Sequence, residues 1–376
     1  MPAWGRLREA AVEAFAIDSM DGAELSSARP DQWDRFVAAT PGGDLVQTTS
    51  WAESKRALGF ETVLVAVWAG PALIGGAQIV VKRFGPLGAL AYVARGPLLA
   101  PGHGDRAGEV VDAVERAARE ARIRHLVVQP PEGGDALEAE LVDRGFTPAP
   151  PQVGPSATMR IDLRPSLEQI LARMSASKRN QVRRSQRAGV RITMARRADI
   201  ELFHQLHTAT ARRQGFDALS MSYLWHGWDA LHPRGAVQLI LAHHDGLPLA
   251  GAWLTAFGDT VTYRLAGWAG HGGRLYANIA CQWRAIQWAK ENGYRHYDLG
   301  GIDRRYAELL IAGKPLPEEF QYTPGAFKRE LGAEPVLLPV ARQRAFDPLT
   351  SVIARVYPRL SRSRSVRRLI HRLRNG

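Results

Sequence analysis

One cysteine stands in 376 residues, and no apolar run approaches the ~20 residues that a membrane-spanning helix needs. The lone Cys281 excludes an internal disulfide and fits a reducing compartment. It falls within an apolar helical pattern and is expected in a core. The N-terminal stretch MPAWGRLREAAVEAFAID has too many acids and too short an apolar run for a secretory signal. A cytoplasmic protein is expected. Several chemical signatures are also missing: there is no GxSxG elbow, no GxxxxGK[ST] phosphate loop and no HExxH pair. Hydrolase, nucleoside triphosphatase and zinc-protease readings therefore lack support. His204 and His207, like His243 and His244, have no cysteine partners in sequence, so no metal is expected.

Acids are scarce relative to bases, 37 against 49, which leaves a net charge of +12 and a pI near 10.2. Such a chain favours anionic partners: nucleic acid, an anionic membrane or a diphosphate-bearing substrate. Two segments hold much of the excess. After Ser177, Arg179, Arg183 and Arg187 recur every four residues and form one helical stripe, which reads either as a phosphate-binding face or as a solvated one. From Ser363 onward, Val366, Leu369, Ile370 and Leu373 share one face, with Arg364, Arg367, Arg368, His371 and Arg372 around it. That is the layout of a helix making peripheral contact with an anionic membrane, and equally of one docked on its own protein.

The length, at 45% hydrophobic content, suffices for two cores. Between Tyr276 and Ile302 the pattern predicts a helix, with Ile279, Trp283, Ile286 and Ala289 at three- and four-residue steps and Asn292-Gly293 as its stop. A short strand follows through His296, Tyr297, Asp298 and Leu299 into Gly300-Gly301, where missing side chains allow close approach to the backbone. The chain also repeats itself. Gly102-His103-Gly104-Asp105-Arg106 opens an expected helix ahead of Arg124-His125 and an apolar strand, and Gly270-His271-Gly272-Gly273-Arg274 does the same ahead of Arg295-His296, roughly 170 residues on. Two copies of one supersecondary unit are implied. The proline-rich PAPPQVGP at 148–155 marks a boundary, and Ser166 to Gln169 offers a capping box at the start of the next element. Strands are expected at 63–67, 79–81, 237–242, 250–257 and 261–265 among helices, as in an α/β protein. Leu99 to Gly104 and Gly267 to Gly272 have the glycine spacing of an acyl-CoA pyrophosphate loop without its leading Gln or Arg, which argues against CoA.

Several of these pieces, in this order, resemble the FemABX family of aminoacyl-tRNA-dependent transferases. Gln47, Trp51 and Lys55 stand as QTTSWAESK; Tyr92 to Pro97 form YVARGP; Lys178 to Val190 form a basic KRNQVRRSQRAGV helix; Phe327-Lys328 is followed by Leu331-Gly332. The resemblance implies an α/β fold of two tandem GNAT-like domains, expected at 1–155 and 156–345, and the basic amphipathic helix read above places a tail at 346–376. No long charged heptads lie between Ile192 and Gly235, so no inserted coiled-coil arm is expected. The implied activity is transfer of an amino acid from aminoacyl-tRNA to an amine of a peptidoglycan precursor stem peptide, lipid II or its nucleotide-linked form, with no cofactor.

By the same resemblance Lys328 is expected near the oxyanion or the tRNA 3′ end, with Tyr297 and Asp298 as further catalytic candidates. Lys55, Trp51, Tyr92, Arg95, Tyr276, Gly300 and Gly301 are expected to bind the precursor, and Arg179, Arg183 and Arg187 the tRNA or a phosphate. One departure concerns the acceptor: many family members carry an arginine four residues before a tyrosine after a GF pair, and here Gly215-Phe216 is followed by Leu219 and Tyr223. Two other readings stay open, an N-acyltransferase of different amide chemistry using aminoacyl-tRNA or acyl-CoA, and a non-enzymatic membrane- or RNA-binding protein.

Overall fold

The computed structural model describes residues 29–84, 88–149 and 154–347, and the backbone of 23–25. The expected tail helix from Ser363 lies outside the described residues. The chain forms two units, one of 29–58 with 155–338, the other of 59–154 with 339–347 and the strand at 23–25.

Two helices come first, α1 (Pro30–Ala39) and α2 (Thr49–Arg56). Both belong to the larger unit. Asp34 of α1 accepts from the Thr49 amide and hydroxyl, both at 2.7 Å, and Thr48 caps α2 by accepting from the Trp51 amide at 3.2 Å. These bonds occupy donors that a helix start leaves without intrahelical partners.

The smaller unit is one mixed sheet with helices. Its elements are β1 (Ala23–Leu25), β2 (Glu61–Ala69), β3 (Ala72–Arg83), β4 (Ala89–Val93), β5 (Leu98–Leu99), α3 (Ala107–Glu120), β6 (Ile123–Val128), α4 (Asp135–Asp143) and β7 (Thr147–Pro148). The larger unit continues with β8 (Ala157–Asp162), α5 (Leu167–Arg173), α6 (Ala176–Arg187), β9 (Arg191–Met194), α7 (Ile200–Gln214), α8 (Met221–Leu231), β10 (Val237–His244), β11 (Leu247–Phe257), β12 (Thr260–Trp268), α9 (Ala277–Glu291), β13 (His296–Gly301), α10 (Arg304–Ile311), α11 (Pro324–Glu330) and β14 (Glu334–Leu337). The chain then returns to the smaller unit as β15 (Arg342–Ala345), between β6 and β7. Strand order is β1-β2-β3-β4-β6-β15-β7 in one sheet, with β5 on β3, and β14-β8-β13-β12-β11-β10-β9 in the other.

The linear division expected at 155/156 is therefore replaced by an interleaved one. Residues 29–58 pack with the later unit because α2 lies against α8, and 339–345 go with the earlier one because β15 completes its sheet.

The repeat read from the two GHG segments is a repeat of structure. In the smaller unit a 3-10 turn at Gly104–Arg106 leads into α3 and then β6, which runs parallel to β4. In the larger, a 3-10 turn at Gly273–Leu275 leads into α9 and then β13, parallel to β12. Arg106 and Arg274 both sit in that turn. Each unit has its own core: Val110, Val111, Val114 and Ala118 of α3 face the smaller sheet, and Ile279, Cys281, Trp283, Ile286 and Ala289 of α9 the larger. Cys281 is buried, and burial pushes its thiol up to about 12. Ser166 and Gln169 form the capping box at α5. Between Ile192 and Gly235 the chain builds the rest of β9, α7 of 15 residues and α8 of 11, so no coiled-coil arm is inserted there.

Candidate active site

The larger unit places its chemistry where two parallel strands part. Pairing of β12 with β13 covers Thr260↔His296, Val261↔Tyr297 and Thr262↔Asp298 and then stops. Beyond that point β13 turns through Gly300, whose φ of 82° is left-handed and so favours glycine. A Cβ on Gly301 would stand 2.7 Å from Cβ of Pro155, so only glycine fits that close approach without displacement.

Asp298 holds this turn. Its carboxylate accepts from the Gly300 amide at 2.7 Å, from Arg160 Nε at 3.0 Å and from the Thr158 hydroxyl. With Asp298 only 7% exposed, these bonds satisfy a charge that would be costly to bury alone. Lys328, on α11, reaches the same turn and donates to the carbonyls of Gly300 at 2.9 Å and Gly301 at 2.8 Å. Burial lowers its ammonium to about 8, against which Asp298 acts to raise it. An ammonium has three protons, and two are used, which leaves one donor for a ligand.

A second cluster in the same unit gathers around Trp51. Lys55 Nζ lies 4.5 Å from the centre of the Trp51 ring and 4.6 Å from that of Tyr223, whose hydroxyl it approaches at 3.4 Å. Arg264 of β12 stands over Trp51 at 5.0 Å. Among the described residues, neither cation has a carboxylate partner. Two uncompensated charges over one indole suit an anion. Sequence reasoning missed Arg264, because nothing in a β-strand's pattern tells which arginine will face a helix 200 residues away in sequence. Tyr263, its neighbour, links the clusters: its carbonyl lies 3.5 Å from where a Cβ on Gly300 would be.

The other candidates fall elsewhere. Tyr297 is fully buried and donates from its hydroxyl to Gln282 Oε1 at 2.9 Å; burial pushes that hydroxyl well above its ordinary value. It is a core residue of the larger unit, because alternation along β13 turns it away from the face that Asp298 uses. Arg179 does not join an outward stripe: it donates to the carbonyls of Ala172, at 3.1 Å, and Met174, which satisfies the end of α5. Arg183 and Arg187 remain exposed. Lys178 is buried against Phe327 and pairs with Glu330 at 3.1 Å, which ties α6 to α11. Tyr276, at φ 54°, begins α9 and lies under Arg184, 5.3 Å from its ring centre. Tyr92 and Arg95 belong to the smaller unit, where the Tyr92 hydroxyl donates to Gln129 at 2.9 Å and Arg95 adopts φ 52°. Among the described residues, no helix is long and apolar enough to cross a membrane.

Two mixed α/β units, each with the same turn–helix–parallel-strand element, define a tandem GNAT-like protein of the acyltransferase class. Residues 172–308 match an acetyltransferase (GNAT) domain and residues 29–140 the FemAB family. Together the two matches make the chain similar to the FemABX family. It is 24% identical over 414 aligned residues to a lipid II:glycine glycyltransferase of Staphylococcus haemolyticus, covering 88% of this chain and 95% of that protein. With the enzyme of the same name from Staphylococcus aureus strain MRSA252 it shares 26% over 223 residues, 56% of this chain and 53% of the relative, so that alignment spans about half of the relative's length. A FemX crystal structure superposes with a TM-score of 0.77 at 20% identity, over 88% of this chain and all of that one. A tandem GNAT protein from the clavulanic acid biosynthesis pathway superposes at 0.50 with 15% identity, over 87% and 99%.

Proposed function

We propose that the protein is an aminoacyltransferase that moves an amino acid from aminoacyl-tRNA to an amine of a peptidoglycan precursor stem peptide. What carries the reading is Lys328, held at the Gly300-Gly301 turn with one donor proton uncommitted, in the same unit as Lys55 and Arg264, which have no carboxylate partner among the described residues. The names of the staphylococcal relatives support the choice of acceptor.

In the reaction, the precursor amine attacks the ester carbonyl, the new C–N bond forms, and the ester C–O bond breaks to release the ribose hydroxyl. The amine proton leaves with that oxygen. Positioning and electrostatics supply most of the catalysis, and no covalent enzyme intermediate is required. Lys328 directs its third proton to the oxyanion of the tetrahedral intermediate. Asp298, fully engaged by Thr158, Arg160 and Gly300, acts by holding the turn that positions Lys328. Lys55 and Arg264 hold the phosphate of the precursor against Trp51, with Arg264 supplying the positive charge that Leu219 does not. The membrane contact expected of the basic tail belongs to the same proposal, since it would bring the protein to a lipid-linked acceptor at the inner face of the membrane.

Incubation with a charged tRNA mixture and candidate precursors, followed by product mass, tests the reading. A gain of one aminoacyl residue on the stem peptide is expected. Acetylated product from acetyl-CoA, with none from charged tRNA, would overturn it.

A further inference from the structure

A cavity of about 440 Å³ opens in the smaller unit where α3 ends and β6 begins, and nothing in the proposed chemistry uses it. Arg119, Arg122 and Arg124 line it together with Ile123, Phe346 and Asp347. The volume lies within the range of small-ligand pockets, about 300–1,000 Å³. β15 brings Phe346 in, where its amide donates to the Arg124 carbonyl at 2.8 Å and its ring centre lies 4.8 Å from the Arg119 guanidinium.

The repeat within the fold shows that one of these arginines does not answer a local need. The turn from α9 into β13 passes through Gly293 at φ 80°, and the matching turn from α3 into β6 passes through Arg122 at φ 54°. Both amides donate to the carbonyl three residues back, Gly293 to Lys290 at 3.0 Å and Arg122 to Arg119 at 2.9 Å. Left-handed backbone favours glycine, so the smaller unit keeps an arginine where its own counterpart holds the residue the turn prefers. A strained backbone position occupied by an exposed, charged side chain points to a use for that charge.

Positive charge on the lining is in excess. Arg119 shares the buried Glu115 with Arg344, at 3.5 and 2.5 Å, which leaves that group one positive charge over. Arg122 and Arg124 have no carboxylate partner among the described residues. Asp347, the one acid on the lining, is not free. Arg83 donates to the Ala121 carbonyl at 3.2 Å and so covers the negative end of α3, which would otherwise repel an anion. The cavity therefore suits a phosphate.

What carries that phosphate follows from the sequence beyond Asp347. Residues 348–376 hold eight arginines and no acid, so they cannot cover the cavity without like-charge repulsion. Both need an anionic partner. Val366, Leu369, Ile370 and Leu373, set among those arginines, fit a surface that is anionic outside and apolar beneath, which a bilayer is and an RNA backbone is not. We propose that the arginine cavity of the smaller unit binds the phosphate of an anionic phospholipid headgroup, a folded membrane contact beside that of the tail. The choice of lipid over soluble phosphate rests on the membrane reading of the tail, and none of it on the transfer chemistry.

Cosedimentation of the full chain with vesicles of phosphatidylglycerol in phosphatidylcholine, against phosphatidylcholine alone, tests this. Arg122→Gly gives the turn its favoured residue, so Tm should not fall. It should weaken binding to the anionic vesicles about fivefold, the share of one basic group at such a surface, and Arg122→Gly with Arg124→Ala about 25-fold. Arg212→Ala, which removes an exposed arginine of α7 in the larger unit, should leave vesicle binding unchanged. Equal losses in Arg212→Ala and Arg122→Gly would reduce the effect to net charge and overturn the cavity. Binding that Arg122→Gly leaves intact would also overturn it while keeping the tail contact, and a wild type that ignores anionic vesicles would overturn both. Loss of affinity in Arg122→Gly for sn-glycerol 3-phosphate by calorimetry, or for tRNA by anisotropy, with vesicle binding unchanged, would assign the cavity to a soluble phosphate or to RNA instead.

Discussion

The Lys328 ammonium donates to the Gly301 carbonyl at 2.8 Å, so the lysine nearest the opening of the parallel strands is tied to the backbone that forms it. That bond, with its counterpart to Gly300, fixes the direction of the remaining proton. Lys328→Met should lower kcat about 100- to 1000-fold with the protein folded, the usual consequence of losing an oxyanion donor. KM for the precursor should change little. Near-normal turnover at saturating substrate would remove Lys328 from the mechanism.

The same lysine predicts a pH dependence. Burial lowers its ammonium to about 8, so a rate that needs the protonated form should fall as pH rises through that value. Asp298 raises Lys328, and Asp298→Asn should therefore move the descending limb to lower pH. Stability runs in the opposite sense. Between about 8 and the ordinary lysine value of 10.5 the unfolded chain binds more protons than the folded one, so stability rises with pH across that window. Denaturant titrations of Lys328→Met should show a flatter profile there; an unchanged slope would mean that Lys328 titrates normally.

Lys55 and Arg264 share the Trp51 ring and should act on one anion. Lys55→Met and Arg264→Met are each expected to raise the KM for the precursor about tenfold or more, the scale of a hydrogen bond to a charged group, with kcat nearly unchanged. Added salt should raise the wild-type KM more steeply than that of either variant. A kcat effect without a KM effect would move Arg264 out of acceptor binding.

Arg179 and Arg183 lie one turn apart on α6 and should behave differently. Arg179→Ala removes the donor to Ala172 and Met174 and should cost about 1 kcal/mol of stability, read as a lowered Tm. Arg183→Ala should leave Tm within error and weaken binding of tRNA, measured by fluorescence anisotropy at fixed salt. Identical Tm losses in the two would show that the stripe is structural throughout.

Transfer should require neither ATP nor CoA, as the absence of a GxxxxGK[ST] loop and the incomplete glycine loops imply. Saturable binding of acetyl-CoA in calorimetry, with an acetylated product, would favour the other acyltransferase chemistry.

Local signals were strong enough to be read directly. The periodicity of Ile279, Trp283, Ile286 and Ala289 marks the helix found at Ala277–Glu291, the stop at Asn292-Gly293 is where it ends, and the Ser166 capping box forms as written. The repeated GHG segments carry the doubling of the fold, because each obliges the same tight turn before a helix. These features depend on neighbours within a few residues. The roles of single polar side chains do not. Tyr297 and Asp298 are adjacent, and pairing with β8 and β12 sends one into the core and the other to the turn. Arg179 is drawn to the end of α5 only because α5 stops beside it. Arg264 meets Trp51 because residues 29–58 pack with the later unit, a placement that arises from long-range packing and that no local pattern encodes.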